Sequence, residues 1–141
     1  MTIKVEKTHP LATFAKGTDK SSGYDLRACI LDDYWLPPNE TIKVSSGIKL
    51  NLPDDLDVLL LPRSGLGAKG LVLGNLIGLV DPDYTDTIQL VLWNRTNKPI
   101  LIESGMRVAQ LKFTPVLRLP IEFVDSVDQS GRGGFGSTGV N

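Results

Sequence analysis

Cysteine and histidine are almost absent from this 141-residue chain, with Cys29 and His9 the only examples. A single cysteine excludes an internal disulfide and any multi-cysteine metal site, and a single histidine leaves zinc chemistry almost without ligands. An excess of charge of either sign is also missing. Fifteen Lys and Arg stand against sixteen Asp and Glu, a formal net charge of −1, so there is no basic field to hold a nucleic acid. Apolar runs are short: Val58 to Leu61 is preceded by Asp57 and followed by Pro62-Arg63, far below the ~20 residues of a membrane span. The chain starts without a hydrophobic signal region. The expected setting is a reducing, aqueous one: the cytoplasm, or a host's cytoplasm if the chain is viral. Helical periodicity is lacking as well, since no segment of a dozen residues repeats its apolar positions every three to four.

What the sequence does have is alternation. Short apolar runs punctuated by turn residues predict strands at Ile3 to Val5, Tyr24 to Ala28, Thr41 to Val44, Gly47 to Leu52, Val58 to Leu61, Ile88 to Trp93, Ile100 to Ile102, Val108 to Phe113 and Ile121 to Val124. Pro37-Pro38-Asn39-Glu40 and Asn94-Arg95-Thr96-Asn97 are turn sequences between them. Strand spacing near ten residues predicts an all-β, jelly-roll-like barrel over residues 1–125. Residues 126–141 are predicted to form a flexible, glycine-rich C-terminal arm. Ser64 to Gly70 is the one place for a helical turn, and its glycines argue against more.

Five clusters interrupt the strand pattern. In Ser21-Ser22-Gly23-Tyr24-Asp25-Leu26-Arg27-Ala28, Asp25 and Arg27 share one strand face, as a salt-bridging pair or with Asp25 holding a metal-bound water. Pro62-Arg63-Ser64-Gly65-Leu66-Gly67-Ala68-Lys69-Gly70 offers a guanidinium fork, a hydroxyl and unobstructed backbone N–H groups, a set suited to an anion. It lacks the Gly-Lys-Ser/Thr of a P-loop. Gly74-Asn75-Leu76-Ile77-Gly78-Leu79-Val80-Asp81-Pro82-Asp83-Tyr84 delivers two carboxylates and a phenol into one turn, where Asp81 is either a partly desolvated base or the polar cap of a hairpin. Gly105 to Phe113 places Gln110 among apolar strand positions, where its amide needs a partner. The last cluster, Gly131-Arg132-Gly133-Gly134-Phe135-Gly136, formally fits Gly-x-Gly-x-x-Gly, but too few residues follow to build the helix of a dinucleotide fold. By composition it is a frayed end or a lid, and Gly/Ser-rich ends are more often the former.

Taken in order, Ser22 to Ala28, Pro62 to Gly67, Gly74 to Tyr84, Gly105 to Leu111 and Gly133 to Gly139 closely resemble the five motifs of the trimeric dUTP diphosphatases, across nearly the whole chain. The resemblance implies a homotrimer with three active sites between subunits, each closed by a neighbour's arm. It implies hydrolysis of dUTP to dUMP and pyrophosphate with Mg²⁺, which limits uracil incorporation into DNA and supplies dUMP for thymidylate synthesis. It implies that Asp81 is the general base that activates water against the α-phosphorus. Tyr84 would pack under deoxyribose; Asn75, Leu79, Val80 and Gln89 would surround the uracil edge. Arg63, Ser64, Gly65 and Gln110 would hold the phosphates, and Asp25 the metal through water. Arg132 would reach a phosphate, and Phe135 with Gly136 would cover the base. Three departures stand out: the family's tail arginine falls at Ser130 rather than Arg132, Pro82 replaces a usual serine, and Asp86 replaces a common glycine. Two other readings remain. A dCTP deaminase on a similar fold would need a glutamate base near the third motif, and a nucleotide-sensing module would bind without turnover.

Overall fold

The computed structural model describes residues 2–139; Met1, Val140 and Asn141, the last two belonging to the expected arm, lie outside the described residues. Eleven strands and one short helix follow in order among them: β1 (Lys4–Lys7), β2 (Tyr24–Arg27), β3 (Tyr34–Leu36), β4 (Thr41–Ser45), β5 (Ile48–Asn51), β6 (Leu56–Leu61), α1 (Ser64–Ala68), β7 (Leu71–Leu73), β8 (Gly78–Val80), β9 (Gln89–Asn94), β10 (Ile100–Ile102) and β11 (Arg107–Pro115). The all-β expectation holds, and α1 is the helical turn anticipated there.

Every ladder is antiparallel, and no two strands consecutive in sequence are paired. A four-stranded sheet runs β2-β11-β6-β8, a three-stranded sheet β4-β9-β7, and the two-stranded ladders β1-β5 and β10-β3 complete a jelly-roll-like enclosure. Because the chain passes from one sheet to another, the turn at Asp81 is not the cap of a simple hairpin: β9, which follows it, pairs with β4 and β7 rather than with β8. β7 pairs with β9, whereas β8 pairs with β6.

Alternation produces the core. Val58 and Leu60 on β6, Leu90 and Leu92 on β9, and Val44, Ile48, Ile102 and Leu111 point inward and are buried, each worth roughly 1.5–3 kcal/mol relative to exposure. The opposite face of β9, with Val91 and Trp93, is only half-buried within one chain, although the apolar character of the run predicts cover on both sides.

β3, β7 and β8 are absent from the predicted strands; three residues carry almost no period, and the equally short β10 was legible through its two β-branched isoleucines. The predicted strand at Ile121 to Val124 does not form. Ile121, Phe123 and Val124 are 78%, 96% and 56% exposed, since no sheet edge of the same chain lies beside them and a strand without a partner leaves its backbone groups unpaired. No helix among the described residues is long and apolar enough to cross a membrane.

One buried amide ties the sheets at a corner. Asn94, fully buried, donates through Nδ2 toward the carbonyls of Leu36, Pro37 and Lys98 at 3.0, 3.2 and 2.7 Å, and its Oδ1 accepts from the Thr96 N–H and hydroxyl at 3.0 and 2.7 Å. Asn94→Ala strands these groups and is expected to lower unfolding free energy by about 2–4 kcal/mol, read as a reduced denaturant midpoint at unchanged m-value. Cys29 is buried, and desolvation pushes its thiol upward, partly opposed by Arg27. A thiol raised in the folded state stabilises the fold below the unfolded-state range and loses that contribution as pH rises through the folded one. Cys29 in the native protein is therefore expected to react with iodoacetamide at pH 8 at least about tenfold more slowly than in denaturant.

Candidate functional site

Two pockets gather most of the residues singled out in the sequence. The first, a cleft of about 220 Å³, is lined by Asn75, Gly78, Leu79, Val80, Asp81, Tyr84 and Gln89 over Leu60 and Ile88. It opens where the chain changes sheets, with β8 on one wall and the start of β9 on the other. The turn before β8 is tight: the Ile77 N–H donates to the Asn75 carbonyl at 2.7 Å, and Leu76 takes φ 64°, a costly conformation for a branched residue. Gly78 is required by close approach, because a Cβ there would meet the Leu60 Cβ at 2.9 Å.

Asp81 leaves the end of β8, and the Tyr84 N–H donates to its carbonyl at 3.1 Å, closing a turn with Pro82 in second place, where its fixed φ suits a β-turn. Tyr84 is anchored through its hydroxyl, which donates to the Thr87 carbonyl at 2.9 Å. The Thr87 N–H in turn donates to Asp86 Oδ1 at 2.7 Å. Asp81 is exposed, so the partly desolvated carboxylate, one of its two readings, is not found within one chain. The reason is topological: β8 is the outer strand of its sheet, so nothing in the same chain covers its far side.

The second pocket, about 270 Å³, is lined by Gly17, Ser21, Gly23, Asp25, Arg63, Ser64, Gly65, Arg107 and Gln110. Arg63 follows β6, and Ser64 and Gly65 open α1, where first-turn N–H groups have no intrahelical acceptor. A Cβ on Gly65 would meet nothing within 4 Å, so the loop borders free space. Arg95 braces α1, its Nη2 donating to the Gly67 carbonyl at 3.0 Å. Gln110 finds the partner its position demands: Nε2 donates to the Pro62 carbonyl at 2.9 Å.

The expected Asp25–Arg27 pair does not form. Arg27 turns to the Thr13 hydroxyl and the Gly105 carbonyl, at 2.8 and 2.7 Å, while Asp25 meets Arg63 Nε at 3.2 Å and Arg107 Nη1 at 3.1 Å. Sequence reading assigned Arg107 no role. Strict alternation puts Arg107 on the face of Ala109, but β11 bulges between these residues against β2, leaving Val108 and Ala109 both buried and turning Arg107 to the side of Gln110. Its signal in the sequence is the pair of small apolar residues following a charge, which alternation alone does not decode.

The pockets share no lining residue. Val80 lies beside Val58, and Val58 and Leu61 are separated by roughly 10 Å of strand; Asp81 and Arg63 lie beyond opposite ends of that stretch. Neither pocket includes the tail. Arg132, Phe135 and Gly136 are exposed, and among the described residues the hydrogen bonds of residues beyond Arg118 stay within the tail, as in Ser137 N–H to the Gly134 carbonyl at 3.3 Å.

The dUTPase family profile matches residues 10–139. The chain belongs to the dUTPase family. A deoxyuridine 5′-triphosphate nucleotidohydrolase of Hahella chejuensis is 48% identical over 135 residues, covering 93% of this chain and 88% of that protein. One from Haemophilus influenzae is 43% identical over 140 residues, covering 96% and 91%. Among solved structures, a mutant dUTPase of Staphylococcus bacteriophage 80alpha with dUpNHpp superposes with a TM-score of 0.83 at 22% identity, covering 98% of this chain and 99% of that one. A mutant phage phi11 dUTPase, described with a structural Mg(II) ion, superposes with a TM-score of 0.80 at 18% identity, covering 92% and 100%. At these identities the structures establish the shared fold.

Gly23 offers a test of the second pocket. An alanine Cβ there would lie 2.7 Å from Gln110 Oε1, so Gly23→Ala displaces the carboxamide, a flexible end, and spares the fold. Pyrophosphate binding measured by calorimetry is expected to weaken about 3- to 30-fold with an unchanged circular dichroism spectrum.

Proposed function

We propose that this dUTPase-family protein hydrolyses dUTP to dUMP and pyrophosphate, limiting uracil incorporation into DNA and supplying dUMP, at sites built from more than one copy of the chain. The observation that carries the reading is Asp81 and Tyr84 closing one turn beside a cleft with polar edges, and a separate cationic pocket at the other end of β6. Deoxyuridine enters the first cleft. Backbone groups at Leu79 and Val80, with Asn75 and Gln89, pair with the uracil edge, and a cytosine amino group there leaves buried polar groups unpaired, a penalty reaching about 10⁴-fold. The Tyr84 ring, pinned by its hydroxyl, packs against deoxyribose and crowds out a 2′-hydroxyl.

The Asp81 carboxylate takes a proton from a water as that water's oxygen bonds to the α-phosphorus. The bond from that phosphorus to the oxygen bridging to the β-phosphorus breaks in line, and pyrophosphate leaves. Arg63, Ser64, Gly65 and Gln110 hold the phosphates, whose bridging oxygens keep them within a few ångströms of the reacting centre. Residues separated along β6 as Asp81 and Arg63 are do not meet on one such substrate. A neighbouring copy's second pocket facing the first cleft meets that demand and covers exposed Asp81. This supports a homotrimer in which residues 126–141 reach over a neighbour's site, Phe135 and Gly136 on the base and Arg132 toward the phosphates.

Mg²⁺ fits this donor set. A carboxylate oxygen such as those of Asp25, with phosphate oxygens and water, is the kind of hard ligand this cation takes. Asp25, with lone pairs left beyond its two arginine contacts, holds it through water. When bound, the ion neutralises triphosphate charge.

Separate incubations with dUTP, dCTP and UTP plus Mg²⁺ are expected to release pyrophosphate from dUTP alone. Ammonia from dCTP identifies a deaminase, and absence of turnover with retained binding identifies a sensing module. Asp81→Asn is expected to cut kcat by at least about 10²-fold while preserving nucleotide binding; an unchanged kcat removes Asp81 from the base role.

A further inference from the structure

We infer that Asp86 is a positioning residue for the sugar end of the first cleft: its carboxylate fixes Thr87, and Thr87 fixes the ring of Tyr84. The inference rests on the proposed dUTP hydrolysis and names a residue that sets its sugar selectivity in this chain.

Three observations carry it. First, both main-chain groups of Thr87 are taken up within the turn. Its N–H donates to Asp86 Oδ1 at 2.7 Å, and its carbonyl accepts from the Tyr84 hydroxyl at 2.9 Å. The Tyr84 N–H donates to the Asp81 carbonyl at 3.1 Å, so Tyr84 is tethered at its root and at the far end of its ring. Among the described residues no further hydrogen bond holds Thr85 or Asp86. The Asp86 carboxylate is therefore the polar tie on the N-terminal side of Thr87.

Second, Thr87 stands where this turn joins the core. The next residue, Ile88, is 2% exposed; its N–H donates to the Ile48 carbonyl at 2.9 Å, and its carbonyl accepts from the Ser46 N–H at 3.0 Å. Order passes from the sheets into Ile88 and from there through Thr87 to a ring that is itself 42% exposed. A ring so open is held less by packing than by its two ends, and both Tyr84 and Ile88 line the cleft.

Third, position 86 is where the family resemblance places a common glycine, and this turn does not need one. Left-handed φ values at non-glycine residues fall at Asn39, Leu76 and Phe135 among the described residues, so Asp86 has an ordinary backbone conformation. A glycine there would leave the Thr87 N–H to water and widen the range of the chain that holds the ring. Aspartate supplies an acceptor and narrows that range. Excluding a 2′-hydroxyl is a matter of one oxygen atom's width, so a ring that can yield loses discrimination while it still covers a deoxyribose. Loss of the Asp86 acceptor thus shows in the choice between sugars before it shows in binding of the deoxynucleotide.

The test measures competitive inhibition of dUTP hydrolysis by UMP and by dUMP in Mg²⁺ and reads the ratio of the two inhibition constants. The wild-type chain is expected to favour dUMP by at least about tenfold; a smaller preference leaves no selectivity for Asp86 to set and overturns the inference. Asp86→Ala is expected to lower the ratio at least about threefold, chiefly through tighter UMP binding, and a smaller drop overturns the role of Asp86. Asp86→Asn keeps an Oδ1 acceptor and is expected to hold the ratio within about threefold of wild type; a larger drop assigns the effect to charge and overturns the hydrogen bond. Asp86→Ala made in a Tyr84→Phe chain, where the brace is already cut, is expected to change the ratio by less than about threefold, and a larger change overturns action through Tyr84. Should Asp86→Ala fail to fold, Tyr84→Phe cuts the same brace from its other end and must show the same drop. Failure of the wild-type chain to hydrolyse dUTP rejects the proposed function itself, a result distinct from these.

Discussion

The constraint on which the rest depends is the β6 ladder. β6 is paired on both sides, with β11 and with β8, so it cannot bend to bring its ends together. Asp81 emerges near one end and Arg63 beyond the other. A chain built this way offers a cleft beside Asp81 and a separate pocket lined by arginines, with no lining residue in common. The proposed reading joins them by association of copies, with the exposed outer strand β8 as the place for a neighbour's cover.

Rigidity is distributed to match. The polar turn after β8 is held by internal hydrogen bonds, from Asp81 to Tyr84 and from Tyr84 to Thr87, which fix the presentation of a carboxylate and a ring without tertiary cover. The second pocket is instead held from beneath, by the aromatic packing of Phe14, Tyr24 and Phe113 and by Asp25. By contrast, the tail beyond Arg118 has no such support in the described residues. Its apolar side chains, Leu119, Ile121 and Phe123 among them, are exposed in one chain, an arrangement that favours burial against another.

Much of the fold was legible. Alternation located the longer strands because a half-buried sheet forces period two, and the five motifs, read in order, pointed to the dUTPase family that the comparisons establish. Ile121 to Val124 was misread because strand propensity is a statement about a side chain's fit to a sheet, and it does not supply the sheet. Asp25 was paired with the wrong arginine. The sequence places Arg27 two residues away, whereas Arg63 and Arg107 arrive from β6 and β11, and Arg27 finds better acceptors in Thr13 and Gly105.

The sequence alone therefore determined what depends on local periodicity and residue chemistry: an all-β chain with one cysteine and one histidine, a glycine-rich end, and the residue types of the candidate site. Tertiary structure decided what depends on long-range pairing. It set which strands became neighbours when no consecutive pair did, how one bulge in β11 turned Arg107 into a pocket, and why Asp81 stayed open to solvent. The physical reason is that side-chain direction follows from chain-local geometry, while the partner met in that direction is chosen by strand order, which distant residues settle together.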